Sequence, residues 1–306
     1  MNRNIEITPE EFLEKKLCAP APPAAQAVAD ALLEKYPEAA VLLYGSGISV
    51  SAADNPTDIL FDFYVIAPDY RAAIANPIER LAARLLPPNV YYFETASTDG
   101  ILRSKYALLS TEAFERLVSA RTFHSYFWAR FAQPCRLVAA SAKTKSRIIA
   151  AVRNSIETFL TEAQGLADDP KDWREVWLAG LNASYKAELR AEASDRAEKL
   201  IENYGDWPAF VAGFALDPSA QKSVGAAMAW RLRAVFGAFL SVARLLKATT
   251  TFSGGIDYIA WKVKRHAGVD VGIKPWERKH PFVAAPIVAA RYYRKRAAQR
   301  GESSSA

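Results

Sequence analysis

The sequence predicts an α+β protein in which a sheet-forming region precedes a helical one. Three observations support this class. Short apolar runs bounded by turn residues are concentrated before about residue 140. From about 143 to 250 nearly every segment has helical spacing, and the composition shifts to Ala, Leu, Arg and Glu. The last part joins apolar or aromatic residues to basic ends. We therefore expect three regions, 1–140, 141–250 and 251–306.

The first region is predicted to form a sheet with flanking helices. The predicted strands are 39–44, 58–66, 89–95, 100–110 and 134–140, the last of them a short edge strand. The predicted helices are 8–17, 23–36, 69–86, one that begins at the Ser110-Thr111 cap, and 123–132. The run 58–66 is apolar on both faces apart from its aspartates, which suits a central strand covered by helices.

The second region is predicted to be almost entirely helical. Its predicted helices are 144–166, 171–180, 193–204, 207–215 and 219–248. The stretch 226–246 is apolar over most of its surface. We interpret it first as a helix of the protein core and second as a lipid-facing helix.

Composition argues against several classes of protein. Two distant cysteines, Cys18 and Cys135, and three scattered histidines do not have the spacing of a zinc site. The acidic N-terminal stretch has no apolar segment of a secretory signal. No uninterrupted apolar run reaches about 18 residues, so a membrane-spanning helix is not expected.

The positive charge is concentrated near the C-terminus. The chain carries a net charge of +6, and residues 258–300 hold eleven Lys or Arg against two acidic residues, a net charge of +9. The rest of the chain is close to neutral, at about −3. This segment is expected to meet an anionic partner: phospholipid headgroups, nucleic acid or another protein.

The stretch with the clearest chemical content is 41–66. The turn Gly45-Ser46-Gly47 follows a strand, where free backbone N–H groups can face phosphate oxygens. On the next predicted strand, Asp58 and Asp62 share one face because side chains alternate. Two carboxylates beside a phosphate cradle could hold Mg²⁺, which prefers carboxylate, water and phosphate oxygens. This combination is typical of a nucleotidyltransferase.

Alternatives remain open for both aspartates. Asp58 is equally typical of a turn residue, and Asp62 could be a structural carboxylate paired with a local Lys or Arg. The i, i+4 spacing corresponds to a rise of about 13 Å along a strand, which is long for sharing one metal ion. We therefore also consider Glu94 or Asp99 as the source of a second ligand.

Ordered motifs along the chain resemble a known family. They are "YGSGI" (44–48), "LFDFYVIAP" (60–68), "NVYYFE" (89–94), "RSKYALLSTEAFERLVSARTFHSYFWARFAQPCRLV" (103–138), "AAVRNSI" (150–156), "LAGLNASYKAELR" (178–190) and "TTTFSGGIDYIAWKVKR" (249–265). Together they resemble the mitochondrial translocator assembly and maintenance protein family, the mitochondrial-type CTP:phosphatidate cytidylyltransferases. The resemblance covers most of the chain in patches and is strongest over 44–138.

The resemblance implies a reaction and an architecture. Proteins of this family use Mg²⁺ to join CTP to phosphatidic acid, giving CDP-diacylglycerol and pyrophosphate in phospholipid biosynthesis. The implied fold is a nucleotidyltransferase-like mixed sheet domain, a winged-helix-like helical domain and a membrane-associating C-terminal segment. With no presequence in view, the expected location is the cytoplasm, peripheral on the inner face of the cell membrane.

The resemblance also assigns roles by position. Gly45, Ser46 and Gly47 are expected to hold the triphosphate; Asp62, with Asp58, to bind metal and take part in catalysis; Lys105 and Tyr106 to lie at the nucleotide, with Lys105 catalytic; and Arg130 and Arg153 to hold phosphate.

The segment "IDYIAWKVKR" (256–265) is predicted to be a basic amphipathic helix on a membrane surface. Trp261 lies near the boundary of its apolar face, and Lys262, Lys264 and Arg265 lie on the polar side. An ordinary packing helix with a solvated basic face is the alternative. The leading interpretation expects no nucleic acid.

Two other functions remain open at this point. One is a nucleotidyltransferase with a different acceptor: another phospholipid, a small alcohol phosphate or a tRNA end. The other is a non-catalytic nucleotidyltransferase-like protein that binds nucleic acid, because "RYYRKRAAQR" (291–300) fits nucleic acid as well as lipid.

Overall fold

A computed structural model describes residues 7–49, 54–188, 195–251 and 270–279, together with 284, 287, 288, 290–292, 294 and 295. The predicted amphipathic helix at 256–265, with Trp261, Lys262, Lys264 and Arg265, lies outside the described residues. Within them the chain has mixed α/β structure built on one five-stranded mixed sheet.

The strands are β1 (Ala40–Tyr44), β2 (Leu60–Ala67), β3 (Asn89–Ser97), β4 (Gly100–Ser110) and β5 (Cys135–Ala139). The helices are α1 (Pro9–Leu17), α2 (Pro23–Lys35), α3 (Tyr70–Ala73), α4 (Pro77–Leu85), α5 (Thr111–Leu117), α6 (Trp128–Phe131), α7 (Ala142–Gln164), α8 (Trp173–Ala187), α9 (Arg196–Asn203), α10 (Trp207–Ala215), α11 (Val224–Thr251) and α12 (Pro275–Lys279). Two 3₁₀ turns, Gly45–Ser49 and Pro56–Asp58, lie between β1 and β2.

The sheet has the strand order β3-β4-β2-β1-β5. The β2–β4 pair is parallel, and the other three neighbouring pairs are antiparallel. The central position of β2 and the edge position of β5 are both confirmed. Phe63 and Val65 on one face of β2 and Tyr64 and Ile66 on the other are fully buried, which explains why this strand reads as apolar on both faces.

Helices cover both faces of the sheet. On one face α2 lies over Tyr106 of β4, to which Tyr36 is hydrogen-bonded. On the other face, Tyr64 of β2 packs against Phe131 of α6 with ring centroids 4.8 Å apart. The change from sheet to helices falls between β5 and α7, and buried residues from both sides of that junction form one hydrophobic cluster.

Three predicted elements of the first region differ from the structure. Strand β2 begins at Leu60 rather than 58, because Asn55 caps a 3₁₀ turn by accepting a hydrogen bond from Thr57 N. The predicted helix 69–86 is two helices, since Asn76 caps α4 and Pro77 occupies its first turn. Within the predicted helix 123–132 only Trp128–Phe131 is α-helical.

Helix α11 departs most from its prediction. The interpretation of 226–246 as a core helix is wrong: among its described side chains most of the large apolar ones are exposed, and Trp230 is the one that is buried. By length and composition Val224–Arg244 could also cross a membrane, which differs from the expectation of no such helix. Cationic residues interrupt the apolar run, but the mean hydropathy of Val224–Arg244 is still that of an apolar helix.

Candidate functional site

The glycine turn after β1 lies directly beside Asp62. Tyr44, the last residue of β1, is the register partner of Asp62 on β2. Gly45 has a φ of +72°, and a Cβ at this position would lie 3.5 Å from Asp62 Oδ2. Glycine is therefore favoured by the left-handed backbone, whereas a Cβ would make only ordinary van der Waals contact with the carboxylate. The predicted proximity of turn and aspartate is confirmed.

The three residues of the turn do different things. Gly45 and Ser46 are exposed, whereas Gly47 is buried. A Cβ on Gly47 would lie 3.2 Å from side-chain carbons of both Leu43 and Phe61. Gly47 therefore allows the turn to pack on the sheet, and the part of the turn that is open to solvent is Gly45 and Ser46.

Lys105 of β4 forms an ion pair with Asp62. The two residues are register partners in the parallel β2–β4 pair, so both side chains lie on the same face. Lys105 Nζ lies 3.0 Å from Asp62 Oδ1. The Lys105 side chain is 40% exposed and that of Asp62 is 22% exposed. A phosphate ligand could therefore reach both charges from solvent.

The other predicted carboxylates are not beside Asp62. Asp58 is exposed in the 3₁₀ turn before β2, so the strand face that it was predicted to share with Asp62 is not formed. Asp99 lies in the β3–β4 turn, roughly 20 Å along β4 from Lys105. Glu94 lies on β3, beyond β4 from Asp62, and is held by Arg103 at 3.3 Å and by the Tyr92 hydroxyl at 2.6 Å.

The carboxylate of Asp62 fits one contact to a divalent cation. Among the described residues no group of three or more His, Cys, Asp or Glu side chains converges. Asp62 Oδ1 is buried, and the charge beside it is the Lys105 ammonium group, whose Nζ lies 3.0 Å away. Mg²⁺ usually keeps several waters and is bound through one or two carboxylates plus substrate phosphates. A single aspartate beside a nucleotide triphosphate meets that description.

Arg130 of α6 lies behind Tyr44. Its Nη1 donates a 3.4 Å hydrogen bond to the Tyr44 hydroxyl, and its guanidinium lies over the Tyr126 ring at 4.5 Å. Glu188 Oε2 accepts from Arg130 Nη2 at 3.0 Å, in a pair whose side chains are 11% and 9% exposed. Burial, followed by the nearby charge of Asp62, raises the pKa of Tyr44. Arg130 therefore supports the site from the protein side.

Helix α11 contributes a second arginine to this cluster. The Arg244 guanidinium lies over the Tyr126 ring at 4.3 Å, and its Nε donates to Pro87 O at 2.8 Å. His124 Nε2 lies 3.5 Å from Arg244 Nη2. Burial, then the charges of Arg244 and Arg116, lowers the pKa of His124 to about 4. The imidazole is therefore neutral at physiological pH.

The structure does not bring Tyr106 or Arg153 to this place. Tyr106 follows Lys105 on β4 and points to the opposite face, where it is fully buried and bonded to the Tyr36 hydroxyl at 2.8 Å. Arg153 forms an ion pair with Glu10 of α1 and another with Glu157 at 2.8 Å on its own helix α7. The phosphate and nucleotide roles expected for these two residues have no counterpart in the Asp62 geometry.

Sequence reasoning missed the residues that surround Arg130. Tyr44 could have been found, because it directly precedes the glycine turn and the register of two antiparallel strands places it opposite Asp62. Tyr126, Glu188 and Arg244 come from three separate segments of the chain. Only the tertiary structure unites them.

Neither a scan against protein-family models nor a search of curated proteins finds a match for this chain. Its function is therefore inferred from the site itself, from Gly45, Asp62 and Lys105 and from the residues that hold them.

Proposed function

We propose that this protein is a Mg²⁺-dependent nucleotidyltransferase that transfers CMP from CTP to phosphatidic acid, giving CDP-diacylglycerol and pyrophosphate. The observation that carries the proposal is the position of Asp62, between the glycine turn that follows β1 and the exposed ammonium group of Lys105. The motif resemblance supports the choice of CTP and of a lipid acceptor, together with a nucleotidyltransferase-like sheet and a winged-helix-like helical part.

The proposed reaction forms one phosphorus–oxygen bond and breaks another. A phosphate oxygen of phosphatidic acid attacks the α-phosphorus of CTP, the bond from that phosphorus to the bridging oxygen breaks, and pyrophosphate leaves. Gly45 lets the polyphosphate approach the main chain, because it has no side chain and its φ of +72° suits glycine. Lys105 donates to phosphate oxygens once these compete with Asp62 for its ammonium group.

Asp62 is the residue that would hold Mg²⁺, which supplies charge neutralisation on the phosphates when bound. Tyr44 and Arg130 act as positioning residues. The Arg130 guanidinium lies 5.4 Å from the centre of the Tyr44 ring, and Glu188 balances its buried charge. This arrangement keeps the β1 end, and with it the glycine turn, at a fixed place beside Asp62.

The test is pyrophosphate release by the purified full chain with Mg²⁺, phosphatidic acid in mixed micelles, and each nucleoside triphosphate in turn. We expect release with CTP that depends on the lipid and on Mg²⁺. Asp62→Asn keeps the shape of the side chain and removes its charge, and we expect it to lower the rate by at least about 100-fold. Release with every nucleotide alike would contradict the assignment of CTP.

One observation favours a second candidate. The Asp62–Lys105 ion pair is also what a purely structural carboxylate would require. The second candidate is therefore a non-catalytic protein of the same architecture that binds nucleic acid through its basic C-terminal part. Calorimetric titration with Mg²⁺–CTP and with a short RNA separates the two, because binding of RNA without turnover of CTP would favour the second.

A further inference from the structure

The outward face of α11 is apolar along most of its length. Met228, Leu232, Val235, Phe239 and Val242 recur every three or four residues, and they are between 50% and 74% exposed. We call these five residues the outer stripe. Phe236 beside it is 46% exposed and contacts Phe123, with ring centroids 6.3 Å apart. A contiguous apolar surface of this kind is typical of an interaction site.

The inward face fastens α11 to the rest of the protein. Arg233 pairs with Glu162 at 2.9 Å, and Trp230 Nε1 donates to Glu162 O at 2.7 Å. Near the other end, Lys247 Nζ donates to Pro88 O at 2.7 Å and to Asn89 Oδ1 at 2.9 Å. Spanning a bilayer would break these bonds and move the cations into hydrocarbon, at a cost of several kcal/mol. The helix is therefore suited to lie along a surface.

The exposed charge that α11 itself places beside the outer stripe is positive. No acidic residue occurs between Asp217 and Asp257, so α11 carries only cations. Arg231 is exposed next to the outer stripe, and Arg121 is exposed two residues before Phe123. A second copy of the chain, paired through the same helix, would bring like charges together. An anionic lipid surface complements the two exposed arginines, because cations are attracted to anionic headgroups.

We propose that the outer stripe docks on an anionic lipid bilayer, with α11 lying along its surface. This rests on the proposed function, because a lipid acceptor is what gives the contact its role. The inward residue Arg244 belongs to the same cluster as Tyr126 and Arg130. Docking would therefore bring the bilayer to the outer side of the helix whose inner side carries Arg244.

The test is an environment-sensitive NBD fluorophore on a single accessible cysteine in the full chain, in which the native Cys135 is buried. Leu232→Cys, in a Cys18→Ser background because Cys18 is exposed, places the label on the outer stripe. Leu81→Cys on α4 is the matched control, since Leu81 is 55% and Leu232 is 56% exposed. The vesicles are phosphatidylcholine with and without phosphatidylglycerol, and some carry a doxyl quencher on the acyl chain.

At position 232 we expect a severalfold rise and a blue shift of emission with anionic vesicles, and quenching by the doxyl lipids. At position 81 we expect little change. Equal responses at both positions, or none at 232, would overturn the proposal. A shift at 232 that grows with protein concentration in the absence of vesicles would instead identify a second copy of the chain as the occupant.

The same measurement remains separate from catalysis, because it uses no nucleotide. If the fluorophore inserts and CTP is not turned over, the docking surface stands and the proposed function fails. If the protein turns over CTP with a short-chain, monomeric phosphatidic acid but residue 232 does not enter the bilayer, the function stands and the docking surface fails.

Discussion

Two neighbouring polar residues of β4 lie on opposite faces of the sheet and differ in their exposure to solvent. On one face Lys105 is 40% exposed and pairs with Asp62. On the other, the next residue in sequence, Tyr106, is fully buried and hydrogen-bonded to Tyr36 and Lys35. The difference teaches that a polar strand residue becomes part of a site only when its face is open to a ligand. Adjacent residues on a strand point to opposite faces, so one of two polar neighbours can face a ligand while the other packs in the core.

The largest expected effect concerns the buried ion pair between Arg130 and Glu188. Glu188→Gln leaves Arg130 buried without its counter-charge, and we expect the free energy of unfolding to fall by about 3 kcal/mol. Urea denaturation measures it. The control is Glu157→Gln, which removes an exposed partner of Arg153 and should change the stability by less than about 1 kcal/mol. Equal losses of stability in the two variants would mean that the buried Arg130–Glu188 pair stabilises the fold no more than the exposed Arg153–Glu157 pair.

A second expected effect is on activity. Lys105→Ala removes the cation next to Asp62, and we expect CTP turnover to fall on the order of 100-fold. Steady-state kinetics with separate kcat and KM for CTP measure it. Recovery of most of the rate by Lys105→Arg would support a phosphate-binding charge, whereas an unchanged rate in the alanine variant would exclude Lys105 from the reaction.

A third prediction concerns pH and His124. Its pKa is about 4 in the folded protein against about 6.5 in the unfolded chain. Between these values the unfolded chain binds a proton that the folded protein does not. The free energy of unfolding therefore falls as pH falls through this range, by about 2 kcal/mol between pH 7.5 and pH 5 from this group. Denaturation of wild type and His124→Gln at both pH values checks it: the variant should lose that part of the dependence.

The smallest effect is expected on the closed face. Tyr106→Phe removes a buried hydroxyl that bonds Lys35 and Tyr36, and should cost about 1 kcal/mol of stability. Turnover of CTP should stay within about twofold of wild type, because residue 106 points away from Asp62. A large loss of kcat in a variant that keeps its fold by circular dichroism would contradict the assignment of residue 106 to the face away from the site.

Much of the sheet could be predicted from the sequence. Apolar runs and turn residues place β1, β3, β4 and β5 within about two residues, and the central position of β2 follows from its apolar character. The proximity of Gly45 and Asp62 could also be predicted, because strands that are consecutive in the chain are often neighbours in a sheet. Sequence patterns are sufficient for elements that are determined by residues close together in the chain.

The rest depended on information that no single stretch contains. Asp58 lies outside β2 because Asn55 caps a short 3₁₀ turn that includes Asp58. A prediction from the alternation of strand side chains alone does not include this local hydrogen bond. Tyr106 was grouped with Lys105 by its place in a motif, although neighbours on a strand point to opposite faces. Glu188 and Arg244 reach the site from distant helices. Their positions follow from tertiary packing alone.

The most direct test of the central claim compares two aspartates four residues apart. Pyrophosphate release with Mg²⁺, CTP and phosphatidic acid would be measured for wild type, Asp62→Asn and Asp58→Asn. The structure places only Asp62 beside Gly45 and Lys105. We therefore expect Asp62→Asn to lose nearly all activity and Asp58→Asn to retain most of it. Equal rates in wild type and Asp62→Asn would contradict the proposed site.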